Sequence, residues 1–163
     1  VLNLFTAMMS ATVVGLFEES IAELVILATF MPVVAGLGGN GGTQTLTVVT
    51  RGIALGELEF SDAKSAIVKQ MTVGVVVGMG VGAITAAVAW IWRGTPALGL
   101  VLCAAMILNL AIAGFAGAAV PLFLKAINQD PALGGGVIVT ACTDVSGFLA
   151  FLGLATVFMQ YLV

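Results

Sequence analysis

Five long stretches of this chain, Leu2–Phe17, Ile21–Thr50, Ala66–Trp92, Ala97–Leu124 and Leu133–Val163, run almost without charge. Few folds can accept them. A helix needs about 20 apolar residues in a row to cross a bilayer core of roughly 30 Å, and these stretches are of that order. Strands of a membrane barrel would alternate apolar and polar residues, whereas these runs are continuous. Hydrophobic residues make up 61% of the 163 and charged residues only 8%, against about a quarter charged in a soluble domain. The expected architecture is therefore all-α and integral to the membrane, with five transmembrane helices in a single domain over residues 1–163 and no room for a soluble domain.

Charge sorts the connections, which are Glu18-Glu19-Ser20, Arg51–Ser65, Arg93-Gly94-Thr95-Pro96 and Lys125–Pro131. Cytoplasmic loops collect Lys and Arg. Arg51, Lys64, Lys69 and Lys125 fall to one side and Arg93 alone to the other. This predicts a multi-pass protein of the cell (inner) membrane with a cytoplasmic N-terminus and an outside C-terminus. Trp90, Trp92 and Tyr161 then lie at outer helix ends, where aromatic belts form. Val1–Phe17 has neither a basic leader nor a small-residue cleavage site, so no signal peptide is expected. The chain reads as starting inside a helix, as a piece of a longer protein.

The net charge of -3 rests on too few ionic residues to identify a partner, and no Lys/Arg cluster points to nucleic acid. Cys103 and Cys142 stand singly in apolar runs without CxxC spacing and read as small buried residues. With no histidine and no paired cysteines, a zinc or copper site is not expected, and any bound metal must accept oxygen ligands. Gly74, Gly78 and Gly82, with Gly114 and Gly117 in the next stretch, have the spacing that lets helices pack closely.

Chemistry concentrates in two places. The second stretch is too long for one straight crossing, and Pro32 followed by Gly36-Leu37-Gly38-Gly39-Asn40-Gly41-Gly42-Thr43-Gln44 predicts a break in its helix. Backbone groups freed at membrane depth need protein or a water-filled cavity, so such a break points to a pathway. The alternative is a cytoplasmic loop at Gly36–Gly42. The second place is Asp144, an acid deep in the last stretch beside Thr140, Thr143 and Ser146. A carboxylate at the bilayer centre costs about 2.5–3.5 kcal/mol on insertion scales, so it should face water, a partner or an ion. The alternative is a protonated Asp bonded to a neighbouring helix.

Counted from the cytoplasmic ends, Asn40 and Asp144 lie at the same depth, about 15 Å in at helical rise. Thr140 and Asp144 share a helix face, with Thr143 and Gly147 adjoining it. Carboxylate, hydroxyl, amide and backbone carbonyl make an all-oxygen set suited to a hard divalent cation. One carboxylate is little for a doubly charged ion, and a twofold axis through the pore would supply a second. Mg²⁺ usually keeps several waters, so a filter for it should hold the hydrated ion. Glu18, Glu19 and Glu23 at the outer mouth, and Glu57, Glu59, Asp62 and Asp130 on the inner side, read mainly as solvated helix-end acids. Asn109 reads as an interhelical hydrogen-bonding residue rather than a ligand.

Pro32, the run Gly38-Gly39-Asn40-Gly41-Gly42-Thr43-Gln44, Arg51-Gly52, and Thr143-Asp144 in the last helix resemble, in the same order and over nearly the whole chain, the MgtE magnesium channels. The resemblance implies a homodimer whose ion path runs on the twofold axis, lined by the second and fifth helices. Asp144 would recognise hydrated Mg²⁺, with Thr140, Ala141, Thr143, Asn40, Gly36 and Gly39 completing the metal site. Mg²⁺ would be both permeant and bound ion, with Mn²⁺ or another divalent cation able to substitute. Cytosolic CBS-type gating domains are expected in the full-length parent.

The leading expectation is thus a Mg²⁺-selective channel pore. A proton- or Na⁺-coupled divalent cation transporter is the alternative, since lone intramembrane acids also serve relays. A non-transporting dimerisation module is a third reading, for which the glycine-spaced third helix would suffice. An enzyme is not expected, for want of a histidine, an activated nucleophile or a cofactor motif.

Overall fold

Six α-helices carry the fold in a computed structural model that describes residues 1–58, 60–132 and 134–162. Glu59, and Leu133 and Val163 at the bounds of the last expected stretch, lie outside the described residues. The helices are α1 (Leu2–Gly15), α2 (Glu18–Glu23), α3 (Ile26–Ala54), α4 (Ala63–Arg93), α5 (Pro96–Ala126) and α6 (Gly135–Val157). Short 3₁₀ turns cover Phe60–Asp62 and Met159–Tyr161.

Two expectations are corrected. Glu18-Glu19-Ser20 is not a bare connection but opens α2, with both glutamates in its first turn, where the helix dipole favours negative charge. The expected Gly-rich break in the second stretch is absent. The helix α3 runs unbroken through Gly36–Gly42, and Pro32 lies inside it. This also removes the reading of Gly36–Gly42 as a loop. The glycines serve proximity instead. A methyl group on Gly41 would meet Leu110 of α5 at 2.8 Å, and one on Gly42 would meet Val139 of α6 at 2.6 Å.

The helix α5 is central and packs against α3, α4 and α6, while α1 lies against α6. The core gathers Leu27, Phe30 and Val34 of α3, Leu102 and Met106 of α5, and Phe151 and Leu152 of α6, all buried. Gly94, in the left-handed region at φ 71°, closes α4, and Pro96 starts α5, so the two return antiparallel through a very short turn. Along their seam backbone meets backbone. Gly74 lies on the Leu110 carbonyl, a methyl on Gly78 would stand 2.8 Å from Ile107 Cα, and Gly114 lies on the Gln70 carbonyl. Val76, Met79, Ile84 and Leu100 point away from the bundle.

Three helices, α4, α5 and α6, are long and apolar enough to cross a membrane. The helix α1, at 14 residues, is about 21 Å long at 1.5 Å per residue. The 29 residues of α3 make about 43 Å, but glycine, asparagine and threonine dilute its apolar character. One end of the bundle brings together Ile26, Arg93, Thr95 and Leu162, and a hydroxyl pair, Ser20 with Thr156 at 2.7 Å, ties α2 to α6 there. At the other end, Val49 of α3 and Leu122 of α5 pack with Leu58, Ala63 and Ile67.

Candidate functional site in the groove between α3 and α6

Helical spacing brings Gly36, Gly39, Asn40 and Thr43 onto one side of α3, and Thr140 and Asp144, four apart, onto one side of α6. The two helices are packed closely enough at Gly42, against Val139 and Thr143, for these rows to face a common space. Ala35, Gly36, Gly39, Asn40, Thr43, Thr140 and Asp144 line a groove of about 350 Å³. Asn40 is exposed and Asp144 half-buried.

Five of the seven residues expected at the metal site, Gly36, Gly39, Asn40, Thr140 and Asp144, thus line one groove. Thr143 and Ala141 do not. Thr143 is fully buried, its methyl turned to Gly42 and its hydroxyl donating to the Thr140 carbonyl at 2.9 Å. Ala141 is half-buried and outside the groove lining. Two residues were missed, Ala35 and Thr43. Thr43 was legible, since it continues the row of Gly36, Gly39 and Asn40 at three- and four-residue steps. Its hydroxyl donates to the Gly39 carbonyl at 2.9 Å and so turns oxygen lone pairs outward.

The groove offers a carboxylate, an amide and two hydroxyls, and the glycines leave backbone accessible between them. That donor set is oxygen-rich and suits a hard cation. Asp144 has no lysine or arginine on its own helix. Among the described residues no three His, Cys, Asp or Glu converge into a metal-holding group. Among the described residues the groove therefore carries one carboxylate on an open wall rather than a closed metal cage.

A family model described as MgtE, divalent cation transporter, matches residues 31–154. The chain belongs to the MgtE family. The matched span contains both walls of the groove, from Ala35 on α3 to Asp144 on α6. Among individual MgtE proteins, the magnesium transporter MgtE of Bacillus subtilis is 33% identical over 162 residues, covering 99% of this chain and 36% of its own length. The magnesium transporter MgtE of Enterococcus faecalis is 31% identical over 160 residues, 98% of this chain and 35% of its own. That of Thermus thermophilus is 29% identical over 160 residues, again 98% and 35%. The chain thus spans about a third of the length of these MgtE relatives.

Proposed function

We propose that this chain forms one half of a Mg²⁺ channel pore in the cell membrane, two copies meeting across a twofold axis that runs along the α3–α6 groove. The observation that carries this reading is the Asp144 carboxylate on an open groove with Asn40, Thr43 and Thr140. A carboxylate within a membrane-spanning helix is costly unless it faces water or an ion, and an open wall with one charge is completed by its symmetry mate. Two Asp144 groups then attract a doubly charged ion, while amide and hydroxyl oxygens touch its water shell. The names of the relatives make Mg²⁺ the natural cargo.

In this arrangement α1, α3, α4, α5 and α6 cross the membrane, with the N-terminus cytoplasmic and the C-terminus outside. The bundle end that carries Arg51, Lys64, Lys69 and Lys125 is the inner one, and Glu18, Glu19 and Glu23 ring the outer end. In this reading cytosolic gating domains are carried by the full-length protein outside residues 1–163.

The test is ion flux through the full-length protein in liposomes. Asp144→Asn should lower Mg²⁺ flux or its preference over Na⁺ by about tenfold or more, since unit charges 4 Å apart interact by about 1 kcal/mol even in water and here two carboxylates face a divalent ion. Wild-type flux and preference in a folded Asp144→Asn dimer would remove the reading. A reversal potential that follows imposed H⁺ or Na⁺ gradients would replace the channel with a coupled carrier.

A further inference from the structure

Asn109 is the one residue of α5 whose polar side chain is buried between the two walls of the groove. It is fully buried. Its Nδ2 donates to the Val34 carbonyl of α3 at 2.8 Å, which fixes the orientation of the amide, because a carbonyl oxygen can only accept. Its Oδ1 has no partner among the described residues.

Both neighbouring helices make way for it. Gly38 of α3 and Gly147 of α6 lie directly against the amide, and a methyl on Gly147 would stand 2.7 Å from Nδ2. Gly38 lies in sequence between the groove-lining Gly36 and Gly39 but on the buried side of α3, and Gly147 is three residues beyond Asp144. The amide therefore wedges α3 and α6 from behind at the turns that present Asn40 and Asp144 in front. An apolar residue would fill such a place at lower cost, since a buried unpaired acceptor is unfavourable.

We infer that Asn109 is a positioning residue of the ion path: the tie to Val34 and the wedge between Gly38 and Gly147 set the separation of the two walls, and hence ion selectivity. This rests on the channel reading above. Packed helices transmit a shift at Gly38 to Asn40 within one turn, because a helix is stiff over that distance and interiors are close-packed.

The full-length protein is compared in liposomes as wild type, Asp144→Asn, Asn109→Leu, which keeps bulk but loses the tie, and Gly147→Ala, which keeps the Asn109 side chain and sets a methyl against its Nδ2. The Mg²⁺-over-Na⁺ permeability ratio should fall by about tenfold in both the Asn109→Leu and Gly147→Ala proteins, a size typical of coupling through packed networks. A purely structural residue would lower the amount of folded protein and leave the ratio of what remains unchanged, and that result would overturn the inference. If Asp144→Asn also leaves the ratio unchanged, the channel reading fails first; if only the Asn109→Leu and Gly147→Ala proteins keep it, the positioning role alone fails. Should neither variant fold, the wild-type protein decides by magic-angle-spinning NMR. The Asn109 side-chain ¹⁵N signal should move as Mg²⁺ is titrated with the half-saturation seen in flux, and a signal that stays fixed through saturation would overturn the role.

Discussion

Thr140, Thr143 and Asp144 follow one another within a helical turn or so, yet they serve different surfaces. Thr140 and Asp144 line the groove, whereas Thr143 packs into Gly42 with its hydroxyl spent on the Thr140 carbonyl. A change of similar shape separates the roles. Thr143→Val should leave Mg²⁺ flux close to wild type, because its hydroxyl is turned to its own helix and not to the groove, while Thr140→Val, which removes a groove oxygen, should reduce flux several-fold; equal effects in liposome assays would contradict this division. The groove-facing pair was legible in the sequence because four-residue spacing determines a shared face. The fate of Thr143 was not, because it is set by where α3 packs, and no local pattern encodes that. Asn109 was legible as an interhelical hydrogen-bonding residue, but its partner, Val34, lies 75 residues away.

Glycine has two uses inside a membrane helix, and α3 shows why sequence alone does not choose between them. Gly36–Gly42 permits unwinding, and the expected break followed from that freedom. The same absence of Cβ permits close approach, and α3 remains helical because Leu110, Asn109 and Val139 press against it. The deciding neighbours come from other helices. The seam between α4 and α5 is the clearer case, since its spacing of four residues predicted tight packing and packing is what is found. Gly78 and Gly80 make a controlled pair there: the first faces Ile107 Cα, the second has nothing within 4 Å. Gly78→Leu should cost about 1–3 kcal/mol or more through overpacking and lower the melting temperature in detergent. Gly80→Leu should leave it nearly unchanged, and similar melting for both would show that the seam does not hold the hairpin.

The chain as a whole is a bundle built around α5, with apolar residues turned outward and charge, Asp144 apart, gathered toward its ends. The all-helical class and the helix order were readable from the continuity of the apolar runs, and the helical stretches agree to within a few residues at most ends. What was not readable was the short α2, whose residues are too polar and too few to register as a helix of their own. Orientation in the membrane gives a direct test. With Cys103 and Cys142 replaced by alanine, a cysteine at Glu19 should react with an impermeant thiol reagent on intact cells. One at Lys64 should react only after permeabilisation, and the opposite pattern would invert the topology.

The backbone-to-backbone seam has a consequence for how such a sequence can change over time. Where main chains touch there are no side chains to exchange, so single substitutions have nothing to repack and registry cannot slip by small steps. Substitution is then easiest on the outward side, at positions such as Val76, Met79 and Ile84, which are exposed on this chain. There one oily residue replaces another without cost, and the hairpin of α4 and α5 stays a fixed strut while its outer coat wanders.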